Sequence, residues 1–248
     1  MFVERGAVRL ELRYILERVK KRVSIAKGLS GSSWWPKEVE IPPGERFLVV
    51  APHPDDDAIG CGGTISKLVH AGKTVRIVYL SIQSSTTFTK MERLNEISRS
   101  LEIMGAKDYT FLAEIFPPKV EISGLLKKEF STFRPDTIFI PSPLENHDQH
   151  LETFEAYAEL RKGLPGDDCT VLYEVWTPLV PNMIVDITQF MNMKIDAINA
   201  HKTQTTNLDF SRAVEGLNAY RAAISARKGY SEAFLTMNRT DILRTFPS

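Results

Sequence analysis

Cysteine is scarce in this sequence, and its scarcity excludes two classes of protein. Only Cys61 and Cys169 occur among the 248 residues, too few for the disulfide framework of a small secreted domain. Neither has a second cysteine three positions away, as the CxxC pairs of structural zinc fingers require. We therefore expect reduced thiols and a cytoplasmic protein.

The chain also lacks an excess of charge and a long apolar run. Its formal net charge is +0 and its pI is about 7.0, so the composition gives no indication of nucleic-acid binding. No stretch reaches the roughly 18 consecutive apolar residues of a membrane-spanning helix. The first residues, MFVERGAVRLELRY, are charged throughout and lack the apolar segment of a secretory signal. We expect neither a nucleic-acid partner nor a transmembrane segment.

Two glycine-rich nucleotide signatures are absent as well. GCGG at residues 60–63 does not match GxGxxG, and it follows a string of carboxylates that would repel a pyrophosphate. No GxxxxGK[ST] occurs anywhere in the chain. Both common nucleotide-binding interpretations are therefore weak.

Apolar strands and helical stretches alternate from about residue 45 onward. Strands are predicted at 46–51, 74–81, 109–113, 136–143, 170–176 and 183–188, and helices at 59–71, 90–105, 121–133, 148–162, 188–201 and 209–228. Because the strands are apolar throughout, we expect an α/β, Rossmann-like, mostly parallel sheet with helices on both faces. We divide the chain into an N-terminal helix and linker, residues 1–45, and a Rossmann-like domain, residues 46–248.

The N-terminal extension contains a predicted amphipathic helix at residues 7–27. Apolar side chains recur at helical spacing and the opposite face is basic. We interpret it as a helix packed on the domain edge or on another subunit. A helix that contacts a membrane surface or RNA stays open as an alternative.

Two stretches rich in histidine and aspartate follow predicted strands. PHPDDDAIGCGG begins at residue 52 and PSPLENHDQHLE at residue 141, and ligands of parallel sheets bind at the carboxyl ends of strands. His53, Asp56 and His150 would supply two imidazoles and one carboxylate, a set that suits zinc and leaves a position for water. Taken alone, HPDD could be a turn with an N-cap aspartate, and the second histidine pair could lie on a helix surface.

The first stretch resembles the signature of the PIG-L/LmbE-like family of zinc-dependent N-deacetylases. Four later segments, RLNEISRSLEIMG, NHDQH, KIDAINAHKTQ and SEAF, resemble further motifs of this family in the same order. The resemblance spans most of residues 46–236 and leaves the first 45 uncovered. Three features depart from the family pattern. Asp57 stands where the family often has Glu, Thr203 replaces the usual Ser, and SIQSSTTFTK replaces a Thr-Asp-Gly-like loop beside the sugar pocket.

The resemblance implies a role for each residue of the site. His53, Asp56 and His150 would hold Zn²⁺, or another divalent transition metal. Asp55 would be the general base on a metal-activated water. His147 would act as the acid or would polarise the amide carbonyl of the substrate.

Three further residues are candidates for substrate binding. Arg93 would reach the pocket to bind sugar hydroxyls or a phosphate, or would instead pair with Glu96 on a helix surface. His201 would take part in the site or would pack and hydrogen-bond at a helix end. Trp176, which follows a predicted strand, would line the rim of the pocket.

The function implied by the resemblance is removal of an N-acetyl group from an N-acetylglucosamine-type sugar or glycoconjugate. Two alternatives remain. The chain could be an amidase of the same family that acts on a thiol conjugate or a longer acyl amide, or a non-catalytic carbohydrate-binding subunit. We expect a small-molecule substrate as the partner. We also expect a homo-oligomer, since family members commonly form trimers or hexamers.

Overall fold

The computed structural model of the chain describes residues 35–82, 89–164, 166, 168–205, 208–225 and 227–246. The helix predicted at 7–27 lies outside these residues, and so does most of the predicted pocket loop, at 83–88. Among the described residues, no helix combines the length and the apolar character that crossing a bilayer requires.

Within the described ranges, eight strands form a single sheet. They are β1 (Lys37–Val39), β2 (Arg46–Ala51), β3 (Thr74–Tyr79), β4 (Asp108–Phe111), β5 (Thr137–Pro141), β6 (Cys169–Tyr173), β7 (Met183–Asp186) and β8 (Ser231–Met237). Their spatial order is β1-β7-β8-β6-β5-β2-β3-β4. Neighbours are parallel except where β8 runs antiparallel to both β6 and β7. The predicted mostly parallel α/β sheet is confirmed.

Eight helices are described: α1 (Asp56–His70), α2 (Lys90–Met104), α3 (Lys119–Phe133), α4 (Asp148–Gly163), α5 (Met191–Ala200), α6 (Lys202–Thr205), α7 (Phe210–Ile224) and α8 (Arg239–Thr245). Seven of them divide between the two faces of the sheet. Side chains of α1, α2, α5 and α7 share one apolar cluster with Phe47 and Val49 of β2. Side chains of α3, α4 and α8 share the other with Leu48 and Val50. Alternate residues of one buried strand therefore face two cores.

Local signals explain where α2 begins and ends. Thr89 and Glu92 form a reciprocal capping box, in which each side chain accepts a backbone N–H of the other residue. Gly105 ends the helix with a φ of 75°, a left-handed conformation that glycine adopts without strain. The end predicted at this glycine is confirmed.

Several predicted boundaries are wrong. Helix α1 begins at Asp56, three residues before the predicted start. The helix predicted at 188–201 is a short 3₁₀ turn, Thr188–Phe190, followed by α5. Two strands were not predicted. β1 has no apolar run, and it lies in the segment assigned to the N-terminal extension. β8 contains a charged residue, Glu232, that only tertiary contacts can satisfy.

Helix α1 is bent at Cys61, whose φ of −146° and ψ of 20° are not helical. The turn after the bend behaves as a new helix start, whose first N–H groups have no partner within the helix. Gly63 and Thr64 donate these N–H groups to the Glu232 carboxylate at 3.0 and 2.8 Å. Lys194 pairs with the same carboxylate, so neither buried charge is left alone.

Two glycines bring α1 against the sheet. A Cβ at Gly60 would lie 2.3 Å from the ring of Tyr173, and one at Gly63 would lie 2.7 Å from Ile187. Any larger residue would push the helix outward. The close approach fixes the position of Asp56, the first residue of the helix.

Candidate metal centre

The site residues come from the ends of two neighbouring strands. His53 follows β2, and His147 and His150 follow β5 at the start of α4. Because β2 and β5 pair in parallel, their carboxyl ends meet at one edge of the sheet. The two sequence stretches therefore converge, as their positions predicted.

Three side-chain atoms form a compact triangle at this edge. His53 Nδ1 lies 3.1 Å from Asp56 Oδ2, His150 Nε2 lies 3.2 Å from the same oxygen, and the two nitrogens are 3.3 Å apart. Donor atoms that bind one ion tetrahedrally at about 2.0–2.1 Å lie about 3.3 Å from each other. The three donors therefore fit a small divalent metal.

The charges of this triangle also favour a cation. Burial lowers the pKa of His150, but the Asp56 and Glu145 carboxylates outweigh it and raise the pKa to about 10. The pKa of His53 is raised too, since Asp56 outweighs burial. Burial opposes ionisation of Asp56, yet the two imidazoles hold its pKa well below the usual range. A site that stabilises extra protons despite burial also stabilises a metal cation.

The outer nitrogen of each histidine has a partner of its own. Gln149 Oε1 lies 2.5 Å from His53 Nε2, and Glu145 Oε2 lies 3.6 Å from His150 Nδ1. Such contacts orient metal-binding imidazoles and set which nitrogen faces the ion. Sequence reasoning missed both partners. The available signal was their position: both lie within PSPLENHDQHLE, and Gln149 stands between the two histidines of that stretch.

His147 belongs to the same cluster. Its ring centroid is 4.7 Å from that of His53 and 4.8 Å from that of His150, and nitrogens of all three rings lie within 4.8 Å of one another. The three histidines are thus a second possible donor set, wider than the set with Asp56. Burial, and then the two neighbouring histidines, lower the pKa of His147.

Asp55 stands at the N-cap position of α1 but makes no side-chain capping hydrogen bond. The turn with an N-cap aspartate is therefore present, but the Asp55 carboxylate does not cap the helix. Its carboxylate lines the pocket and lies 3.9 Å from Arg93 Nη2. Burial, and then the charge of Asp56, raise its pKa to about 6, a value that suits a general base near neutral pH.

A pocket of about 150 Å³ opens beside the cluster. Its lining includes His53, Asp55, Asp56 and His147, together with Trp176 and Phe210. The Trp176 side chain is 45% exposed, and its ring meets that of Phe210 edge-on at 5.2 Å. The structure thus places Trp176 where a rim residue was predicted.

Arg93 and His201 lie behind the pocket rather than on its wall. Arg93 is fully buried, and its Nη1 is 3.4 Å from Glu96 and 3.5 Å from His201 Nδ1. The pairing with Glu96 exists, but it lies in the interior and not on a helix surface. Burial, and then the charge of Arg93, lower the pKa of His201 to about 3. Direct contact of either residue with a substrate stays a prediction.

Comparison with known proteins finds a family model and several named relatives. Residues 48–160 match the family model described as PIG-L, GlcNAc-PI de-N-acetylase. A diacetylchitobiose deacetylase of Thermococcus kodakarensis is 30% identical over 194 residues, covering 64% of this chain and 70% of that protein. A probable N-acetyl-alpha-D-glucosaminyl L-malate deacetylase 2 of Bacillus anthracis is 25% identical over 189 residues, covering 64% of this chain and 81% of that protein.

A solved structure supports the fold assignment. The N,N'-diacetylchitobiose deacetylase from Pyrococcus horikoshii superposes with a TM-score of 0.69 at 24% identity, covering 79% of this chain and 85% of that chain. The similarity extends well beyond residues 48–160 of the family match. The strands and helices outside that range therefore belong to the same fold.

Proposed function

The chain belongs to the PIG-L family of GlcNAc-PI de-N-acetylases, and from this premise we propose that it is a metal-dependent hydrolase. Its substrate is an N-acetylglucosamine-type sugar or glycoconjugate, from which it removes the N-acetyl group. One observation carries the proposal: three donor atoms from two strand ends converge to within 3.1–3.3 Å beside an open pocket.

His53, Asp56 and His150 are the proposed ligands, and zinc is the metal that best suits two imidazoles and one carboxylate. When bound, such an ion acidifies a water molecule and polarises a carbonyl oxygen. The ligands come from elements fixed by the buried core, so little reorganisation is needed for binding. Gln149 Oε1, 2.5 Å from His53 Nε2, and the Glu145 carboxylate, 3.6 Å from His150 Nδ1, favour ring orientations that direct the two inner nitrogens at one point.

Asp55 is the proposed general base. Its carboxylate faces the pocket next to the proposed ligands, and its raised pKa lets it take a proton from the attacking water near neutral pH. The C–O bond forms first and turns the amide carbonyl into a tetrahedral oxyanion; the C–N bond then breaks, and the departing amine needs a proton. The proton held by Asp55 is available for that transfer. The oxygen of the water therefore ends in acetate, and the proton that Asp55 took from it ends on the amine.

His147 is proposed to act on the substrate carbonyl. It is only half-buried and lines the pocket beside Asp55. Its lowered pKa favours the neutral ring at pH 7, and a neutral imidazole can donate one hydrogen bond to the developing oxyanion. Arg93 is proposed to act through Asp55, because its guanidinium approaches that carboxylate from the buried side.

The sugar class follows from the relatives. The two named relatives act, by their names, on diacetylchitobiose and on N-acetyl-glucosaminyl malate. The exposed face of Trp176 at the pocket rim suits stacking against a sugar ring. We propose that the substrate of this chain presents an N-acetylglucosamine unit at that rim.

The test is release of acetate and free amine from N,N'-diacetylchitobiose, N-acetylglucosamine and its malate glycoside, run beside metal analysis of the purified protein. Asp55→Asn should lower kcat by about 10²–10⁴-fold, the usual contribution of a general base, with zinc content unchanged. Asp196→Asn, at an exposed position of α5, is the matched control and should change neither.

Other outcomes separate the alternatives. Release of longer acids but not acetate would identify an amidase with another acyl group. A protein that binds these sugars yet contains no metal and releases no acid would be a carbohydrate-binding subunit. Full activity in Asp55→Asn would remove the proposed base.

A further inference from the structure

One buried carboxylate touches both the proposed metal site and the pocket rim. Glu145 lies between β5 and α4 and is 1% exposed. Its Oε2 lies 3.6 Å from His150 Nδ1. The same oxygen accepts the backbone N–H of Trp176 at 2.8 Å, and Oε1 accepts that of Val175 at 2.8 Å.

These contacts follow from the cost of burying a charge. A carboxylate removed from water needs hydrogen-bond donors or opposite charge around it. Three backbone N–H groups after β6 donate to it, the third from Thr177 to Oε1 at 3.4 Å, and the imidazole of His150 lies beside it. One oxygen, Oε2, therefore lies 3.6 Å from the ring of His150 and also accepts the backbone N–H of Trp176.

We propose that Glu145 is a positioning residue that couples the proposed metal ligand His150 to the pocket rim at Trp176, an inference that rests on the proposed function. Glu145 itself lines neither the pocket nor the triangle of donor atoms. It acts through the His150 ring, whose Nε2 it directs inward, and through the segment that carries the indole.

A second carboxylate offers a matched comparison. Glu174 is also buried, accepts the backbone N–H of Leu179 at 2.8 Å, and forms a two-point ion pair with Arg221 at 3.0 and 2.6 Å. It fastens the same segment after β6, but these contacts join Leu179 and Arg221 and not a residue of the donor triangle. Loss of Glu174 should disturb the rim and spare the metal.

The experiment measures zinc affinity and the rim separately. Zinc affinity is measured by competition with a chromophoric chelator. The rim is followed by acrylamide quenching in a Trp34→Phe/Trp35→Phe background, where Trp176 is the remaining tryptophan, since the chain has 3. The variants are Glu145→Gln, Glu145→Asp and, as control, Glu174→Gln.

Glu145→Gln replaces one acceptor oxygen with an N–H₂ donor, so it cannot keep all of these contacts. We expect its zinc Kd to rise about 10–100-fold, the usual effect of losing such a partner, and the quenching of Trp176 to increase. Glu145→Asp, which keeps the charge, should be affected less. Glu174→Gln should change the quenching with a zinc Kd within about twofold of wild type. With zinc at saturation, Glu145→Gln should recover most of kcat but keep a raised KM.

Three results would overturn the inference. They are an unchanged zinc Kd in Glu145→Gln, an unchanged Trp176 signal, or an equal loss of zinc affinity in the Glu174 control. A wild-type protein that binds no zinc would instead overturn the proposed function, and the inference with it.

A wild-type measurement covers the case in which the variants do not fold. Long-range ¹H–¹⁵N spectra of the zinc-loaded protein should show His150 with its proton on Nδ1, the nitrogen that faces the Glu145 carboxylate. A proton on Nε2 would contradict the proposed orientation.

Discussion

The two ends of helix α1 show that the size of a cavity does not identify a site. The N-terminal end borders a pocket of about 150 Å³. The C-terminal end borders one of about 430 Å³, lined by Lys67, His70 and Asp186 among others. The smaller pocket is the one we assign to chemistry, because its donor atoms point at a common centre.

The difference lies in what the charged groups already do. At the C-terminal end, Lys67 pairs with Glu40 and donates to the carbonyl oxygen of Asp186, while the Asp186 carboxylate pairs with Arg227. These opposite charges compensate each other. At the N-terminal end, two imidazoles converge on one carboxylate, and a cation of higher charge can replace the protons they share.

The largest expected effect is at the N-terminal end. His150→Ala removes one of three donors, so we expect zinc content to fall and kcat/KM to drop by about 10³-fold or more, since a bound metal contributes several kcal/mol. The control is His70→Ala at the other end, where the imidazole Nδ1 contacts the carbonyl oxygen of Ser66, one turn earlier in the same helix. Equal zinc content in the two variants would abolish the contrast between the ends.

The next expected effect is a pH dependence of the free energy of unfolding. It arises from His201, which lies behind the pocket at the N-terminal end of α1. His201 has a pKa lowered to about 3 by burial and by Arg93, against about 6.5 in an unfolded chain. Between these values the unfolded chain binds a proton that the folded chain does not, so stability rises with pH across this window.

The measurement is urea unfolding of wild type and His201→Gln at several pH values from 4 to 7. The histidine contributes up to about 1.4 kcal/mol for each pH unit in this window, and the variant should lose that part of the slope. Parallel pH profiles for the two proteins would show that His201 is not held neutral.

The place of the proposed metal site, at the N-terminal end of α1, could be predicted from the sequence. Its residues follow the carboxyl ends of two strands. Uniformly apolar strands such as β2 predict a parallel sheet, and the residues that follow them must meet at one edge. That placed His53, Asp56 and His150 together without any knowledge of side-chain contacts.

The supporting contacts could not be predicted, because they join residues distant in sequence. Glu232 and Lys194 look like solvated charges, yet they form a buried pair that holds the bend of α1. Arg93 has an acidic neighbour one helical turn away, which predicts a surface pair, but α2 turns this face toward His201. Charge alone does not tell which face of a helix is buried.

A smaller effect tests the close packing that sets the N-terminal end in place. Gly63→Ala would place a Cβ 2.7 Å from Ile187, and such overpacking costs about 1–3 kcal/mol of unfolding free energy. Gly124→Ala in α3 is the matched control, since no atom lies within 4 Å of its added Cβ. That variant should gain up to about 1 kcal/mol, because alanine favours helix more than glycine does. Thermal unfolding of both variants gives the comparison, and destabilisation by both would show that space is not the cause.

The smallest effect is expected at the C-terminal end. Lys67→Met removes the pair with Glu40, whose side chain is 85% exposed, and the hydrogen bond to the Asp186 carbonyl oxygen. An ion pair so open to solvent contributes at most about 1 kcal/mol, and a single hydrogen bond contributes about 1 kcal/mol, while the apolar part of methionine replaces the lysine stem. We expect a change of about 1 kcal/mol in urea unfolding, with zinc content and kcat/KM equal to wild type. A loss of activity here would mean that the larger pocket takes part in the reaction, because the substitution leaves every proposed ligand in place.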